Sequence, residues 1–230
     1  MASTFVTARA IVFDLNETLL DMSALDPLFA DAFGDKSVRR AWYAQTLQNV
    51  MSATIIRSYA DFGELAKAAL EMTARQRGVT IDDERTRRIL RGMSALPAHG
   101  DVAAGLTRLR DAGRRLAVFT NASEAMVRAQ LDHAKLSEYF EVVLSTDAVG
   151  RFKPAPEAYA FAAERLEVAP SELLLVAAQA WDVAGAMSAG LDAAFVSRHG
   201  TALNPLEPRP SIVAPDVRAI ASAIVAREAA

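Results

Sequence analysis

Cysteine is missing from the 230-residue chain. Disulfides, thiol nucleophiles and cysteine-ligated metal sites are excluded with it. An excess of basic residues is missing too: the formal net charge is −3, with no electrostatic footprint for nucleic acid or an anionic membrane. No apolar run approaches the roughly 20 residues that span a bilayer. The opening Met1–Thr7 stretch lacks a basic flank followed by an apolar signal core. Internal repeats and low-complexity segments are absent as well. The expectation is a soluble, cytoplasmic protein with neither nucleic-acid nor membrane partners. What is plentiful is apolar side chain, 52% of the residues, enough for a sizeable core. The length suits one large domain or a core with an insertion.

Ala10-Ile-Val-Phe13 is an apolar run that ends on Asp14, with Thr18 four residues further on. Such a run suits a central parallel strand, whose two faces are both covered. Residues 22–96 then change character. Leu25, Leu28, Phe29 and Phe33 recur at helical spacing, a second helical pattern starts at Ser37, a third spans Asp61 to Met72, and Asp82 or Asp83 suits the cap of a fourth. Pro97-Ala-His-Gly100 resets the chain, with Asp101 as an N-cap and Gly113 as a C-terminal stop for the next helix. Strand and helix alternate from there. Strands are expected at Leu116–Phe119, Val142–Ser145, Leu173–Ala177 and Ala193–Ser197, with a helix over 216–227 closing the chain. The fold class is therefore α/β: a doubly wound parallel sheet formed by 1–21 and 97–230, with a helical block, 22–96, inserted after the first strand.

In open sheets of this kind chemistry sits beyond the carboxyl ends of the strands. Strand one delivers Asp14, Asn16 and Thr18 there. Strand two delivers Thr120 and Asn121, the segment after strand three delivers Lys153, and strand four delivers Gln179 and Asp182. Each has an ordinary structural alternative. Asp14 also suits a turn, Thr120-Asn121 and Asp182 suit helix caps, and lysine is usually solvated. Together they assemble an acid, neutral polar groups, a cation and a second acid around one point.

This order of motifs resembles the haloacid dehalogenase superfamily across essentially the whole chain, and within it the type II L-2-haloacid dehalogenases. Phe13-Asp-Leu-Asn-Glu-Thr-Leu-Leu-Asp21 is similar to the family's nucleophile motif, Lys153-Pro-x-Pro-x-x-Tyr159 to its lysine motif, and Ala180-Trp-Asp-Val-x-Gly-Ala186 to its Trp-Asp motif. Arg39-Arg-Ala-Trp-Tyr43 and Tyr59-Ala-Asp-Phe62 resemble cap segments. The resemblance implies a Rossmannoid core with a helical cap, no cofactor, no metal, and a possible homodimer. It makes Asp14 the nucleophile on the α-carbon of a short 2-halocarboxylate. Lys153 would keep Asp14 ionised, Asp182 would activate water against the resulting ester, and Thr18, Thr120 and Asn121 would orient the acid and the substrate carboxylate. A cap arginine would receive the halide; local alignment favours Arg39, with Arg40 beside it and a solvated helix face as the alternative. Phe62 and Trp181 would shape an apolar wall. Attack at the α-carbon inverts it, so an L-substrate gives a D-2-hydroxy acid.

Phosphatases of the superfamily need a second aspartate two residues after the nucleophile, and a Mg²⁺ site rich in carboxylate. Asn16 stands at the first position, and Ala177 and Ala178 stand where the metal-binding segment would begin. Halide leaves without a proton, so Asn16 is compatible with dehalogenation. Asn16, Glu17, Ala177, Ala178 and Gln179 all depart from the dehalogenase pattern. Glu17 would either repel an anionic substrate or pair with an arginine. The alternatives are another hydrolase of the superfamily acting on a different small substrate, and a non-catalytic binder of a small anion or a partner protein.

Overall fold

The computed structural model describes residues 8–228. Six parallel strands form one sheet in the order β3-β2-β1-β4-β5-β6. They are β1 (Ala10–Phe13), β2 (Leu116–Thr120), β3 (Val142–Ser145), β4 (Leu173–Ala177), β5 (Asp192–Val196) and β6 (Ile212–Ala214). β1 lies at the centre, with Phe13 in register with Val118 of β2 and Val176 of β4. The carboxyl ends of β1, β2 and β4 are thereby brought side by side.

Both faces of the sheet are covered, as the uninterrupted apolar strands require. The side chains alternate between two cores. Ile11 and Phe13 of β1 and Leu174 and Val176 of β4 pack on one face, while Ala10, Val12, Leu173 and Leu175 pack on the other. The second face is covered by α7 (Pro156–Arg165) and α8 (Ala180–Ser188) through Ala158, Tyr159, Ala162, Val183 and Ala186. On the first face lie α5 (Val102–Asp111), α6 (Glu124–His133) and α9 (Val217–Glu228).

Between β1 and α5 the chain is helical: α1 (Asp26–Phe33), α2 (Val38–Ile55), α3 (Phe62–Gln76) and α4 (Asp83–Gly92), with short 3₁₀ turns at either end. Asp61 and Asp82 accept backbone N–H groups at the starts of α3 and α4, the capping role expected of acidic residues there. Trp42 anchors the bundle. Its ring lies 5.1 Å from that of Phe29, and its indole nitrogen donates to the Ala66 carbonyl at 2.9 Å. Phe29, Trp42, Phe62 and Leu70 belong to the same apolar cluster as Phe13, so the insert closes over the sheet's first face. Among the described residues no helix is long and apolar enough to cross a membrane.

Asp101 departs from expectation. Its carboxylate does not cap α5. It binds Arg198 at 2.6 Å and accepts the Val217 N–H at 2.7 Å, tying the loop after β5 to the start of α9. A charged arginine near the carboxylate outcompetes a local backbone donor, and sequence spacing does not reveal such a long-range partner.

Candidate active site

Asp14 follows β1 directly, its backbone N–H bonded to the Val176 carbonyl at 3.0 Å. Each carboxylate oxygen has its own donor. Thr18 donates to Oδ2 at 2.7 Å, and Lys153 Nζ to Oδ1 at 3.0 Å. The Thr18 oxygen in turn accepts the Ala178 N–H at 2.9 Å, which couples the β1 loop to the end of β4. Asp14 is 7% exposed, enough to present an oxygen to the pocket above it.

Lys153 is fully enclosed. Its ammonium also donates to Asp182 Oδ2 at 2.5 Å and to the Phe119 carbonyl at 3.1 Å, so all three hydrogens have acceptors. Burial works against its charge, but Asp14 and Asp182 outweigh burial and raise the Lys153 pKa above its ordinary value. Asp182, in the first turn of α8, is pushed up to about 6. Desolvation is the main cause and the Asp14 charge adds to it, against the lowering effect of Lys153. Tyr159 donates to the other Asp182 oxygen, Oδ1, at 2.7 Å. Gly185 permits that contact, because a Cβ there would stand 2.5 Å from the Tyr159 hydroxyl. One cation and two anions are thus fixed in a dry site by neutral donors.

Asn121 lines the Asp14 pocket and also has a structural task. Its side chain takes the Lys153 N–H at 2.8 Å and gives an N–H to the Lys153 carbonyl at 3.2 Å, clamping the lysine's backbone. Thr120 faces the pocket. Its oxygen accepts the Ala122 N–H at 3.2 Å, leaving the hydroxyl hydrogen for a ligand. Trp181 lines the same pocket with a buried indole N–H that has no partner among the described residues, and Phe62 closes the wall.

The arginines stand elsewhere. Arg39 is 4% exposed and bound at 2.6 Å to Asp26 and at 2.9 Å to Glu17. It lines a broader charged cleft with Arg40, Gln179, His99 and Arg198, and neither arginine nor Gln179 lines the Asp14 pocket. Glu17, in the left-handed region at φ 65°, holds Arg39 together with Asp26. From α2 it is Tyr43 and Leu47 that reach Asp14's pocket. Arg39, Tyr43 and Leu47 share one face of α2, but the arginine sits one turn, about 6 Å, short of the pocket. One helical turn therefore separates the arginine expected to meet the halide from the α2 residues that line the Asp14 pocket. Tyr159 stood within the lysine motif without an assigned role, and Tyr43 ended a cap motif; their contacts became visible only with the fold.

The donor set around Asp14 does not fit Mg²⁺. Both Asp14 oxygens and one Asp182 oxygen are engaged by Lys153 or Thr18, and the Asn16 oxygen accepts from Gln130. Ala177 and Ala178 offer no side-chain oxygen. A hard dication needs several free oxygen ligands and would meet an ammonium instead.

Comparison with known proteins shows the family. Residues 8–190 match the family model described as haloacid dehalogenase-like hydrolase. The chain is 32% identical over 194 residues to (S)-2-haloacid dehalogenase 4A of Burkholderia cepacia, covering 84% of each chain. The L-2-haloacid dehalogenase of Xanthobacter autotrophicus superposes with a TM-score of 0.89 at 25% identity, covering 97% of this chain and all of that one. A structure of that enzyme with chloropropionic acid covalently bound superposes with a TM-score of 0.88, also at 25% identity and with the same coverage.

Proposed function

Because the chain belongs to the haloacid dehalogenase-like hydrolases, we infer that it hydrolyses short L-2-haloacids to D-2-hydroxy acids and halide. One observation carries the reading: Asp14 is aimed and charge-balanced by Thr18 and Lys153, while the residue two positions on is Asn16, which cannot pass a proton to a leaving oxygen. A nucleophile without a partner acid suits a leaving group that departs as a stable anion.

In the first step an Asp14 oxygen attacks the α-carbon from behind the carbon–halogen bond. The C–O bond forms as the C–halogen bond breaks, and the electron pair leaves with the halide. Thr120 donates its free hydroxyl hydrogen to the substrate carboxylate. In the second step water attacks the Asp14 carbonyl carbon, with Asp182 accepting its proton and Lys153 stabilising the oxygen charge. The ester opens at the acyl bond, the departing alkoxide takes the proton back from Asp182, and Asp14 loses its own proton to solvent, so the configuration inverted in the first step is retained in the 2-hydroxy acid.

Metal independence belongs to the same reading, as do a cytoplasmic location and a homodimer, the last tested by light scattering in solution. The deciding assay is halide and phosphate release from a panel of 2-halocarboxylates and p-nitrophenyl phosphate, with and without Mg²⁺. Halide release without Mg²⁺, lost by more than about 10³-fold in Asp14→Asn, is the expected result. Phosphate release that needs Mg²⁺, without halide release, would favour another hydrolase activity and overturn this one.

A further inference from the structure

We propose that Tyr43 receives the departing halide through its phenolic hydrogen, in the place where an arginine was expected. The proposal rests on the dehalogenase reading of the Asp14 site.

In-line displacement sends the leaving group away from the attacking oxygen. Asp14 attacks from the sheet side, so the halide departs toward the helical insert. The insert lines this pocket with Tyr43, Leu47 and Phe62. Leu47 and Phe62 carry no hydrogen-bond donor, which leaves the Tyr43 hydroxyl as the insert's side-chain donor facing Asp14 among the described residues.

A chain of hydrogen bonds sets the polarity of that hydroxyl. Gln130 Nε2 donates to the Met93 carbonyl at 2.7 Å, which fixes the nitrogen end of the Gln130 amide. The same nitrogen donates to Asn16 Oδ1 at 3.2 Å. The Asn16 amide nitrogen is therefore the end left to face Tyr43, which lines the same pocket. A donor there turns the phenol oxygen toward Asn16 and leaves the phenolic hydrogen for a ligand. Desolvation, with the Asp14 and Glu17 charges, raises the Tyr43 pKa well above its ordinary value, so the proton stays in place. Arg39 has no comparable freedom, being held by Asp26 and Glu17.

The phenol keeps its proton throughout. Its hydrogen bond strengthens as charge accumulates on the halogen, which stabilises the transition state more than the bound substrate. A neutral donor also releases the halide without separating it from a cation. The benefit grows with charge density, so chloride gains more than bromide.

The test is rapid-quench single turnover of 2-chloropropionate and 2-bromopropionate with wild type and Tyr43→Phe, which keeps the ring and its packing. Ester formation from the chloro substrate should fall about 10- to 100-fold, the range of a hydrogen bond to a charge. The bromo substrate should lose less, and ester hydrolysis should not change, because the halide has left by then. Replacing Tyr43 with 3-fluorotyrosine, a stronger donor, should accelerate the chloro step. Equal loss for both halides, or loss confined to ester hydrolysis, overturns the proposal while leaving the dehalogenase reading intact. Wild type that releases no halide overturns both.

Discussion

The floor and the roof of the Asp14 pocket are built on opposite principles. The floor is a closed electrostatic network: Asp14 and Asp182 share the Lys153 ammonium, and Thr18, Tyr159, Asn121 and the Phe119 carbonyl hold the parts in register. The roof is two apolar side chains and one phenol. The insert's buried cation, Arg39, is spent on Asp26 and Glu17 outside the pocket. In the proposed reaction the floor carries the bond-making chemistry, which tolerates little displacement. The roof would carry shape and leaving-group contact, which tolerate more sequence change.

That division can be broken by substitution, beginning where the effect should be greatest. Asp182→Asn removes the base for the second step and should lower turnover by about 10²- to 10⁴-fold. Ester formation should survive, so the protein should accumulate the adduct, visible as a mass increase on intact protein. An unmodified protein at the same low turnover would place Asp182 in the first step instead.

Lys153→Met leaves two buried carboxylates facing each other without their cation. Breaking a buried pair in this way costs about 3–5 kcal/mol. For a chain of this size that lowers Tm by roughly 10 °C, readable by calorimetry. A variant as stable as wild type would mean that the network is not the strut it resembles.

A smaller change is expected from Tyr159→Phe. The hydroxyl lowers the Asp182 pKa, while desolvation and Asp14 hold it up near 6. Asp182 must be ionised to accept a proton, so ester hydrolysis should rise with pH through about 6 and level off above it. Without the Tyr159 hydroxyl that limb should move to higher pH, with about a tenfold loss below it and less above. A fixed limb would assign the ionisation to another group.

The smallest effect belongs to Arg39→Gln. Glu17 and Asp26 are about one-quarter exposed, so their loss of a partner costs about 1 kcal/mol of stability. The rate ratio between chloro and bromo substrates should not move. A changed ratio would return the leaving-group role to the arginine and erase the contrast between floor and roof.

The same contrast explains what could be read from the residues alone. Asp14, Thr18, Lys153 and Asp182 follow strands or stand in short motifs, and parallel pairing carries such positions to one edge. Their convergence follows from topology. Tyr43 and Arg39 lie on one face of α2, where periodicity identifies the face but not which turn meets the pocket. Asn121 and Asp101 were legible as polar strand-end or cap positions, yet their partners, Lys153 and Arg198, are distant in sequence. Glu17 was expected either to repel an anionic substrate or to pair with an arginine, and the fold selects the second by placing Arg39 beside it. Gln179 occupies its strand end as foreseen, but lines the charged cleft rather than the Asp14 pocket.

The central claim is that Asp14 itself forms the bond to substrate carbon. A single turnover in ¹⁸O-labelled water, with enzyme in excess over L-2-chloropropionate, tests it directly. Attack by Asp14 and hydrolysis of its ester place the label in the Asp14 carboxylate and leave the first lactate formed unlabelled. Label in that lactate, with none in the peptide carrying Asp14, would mean that water attacks the α-carbon and would contradict the account.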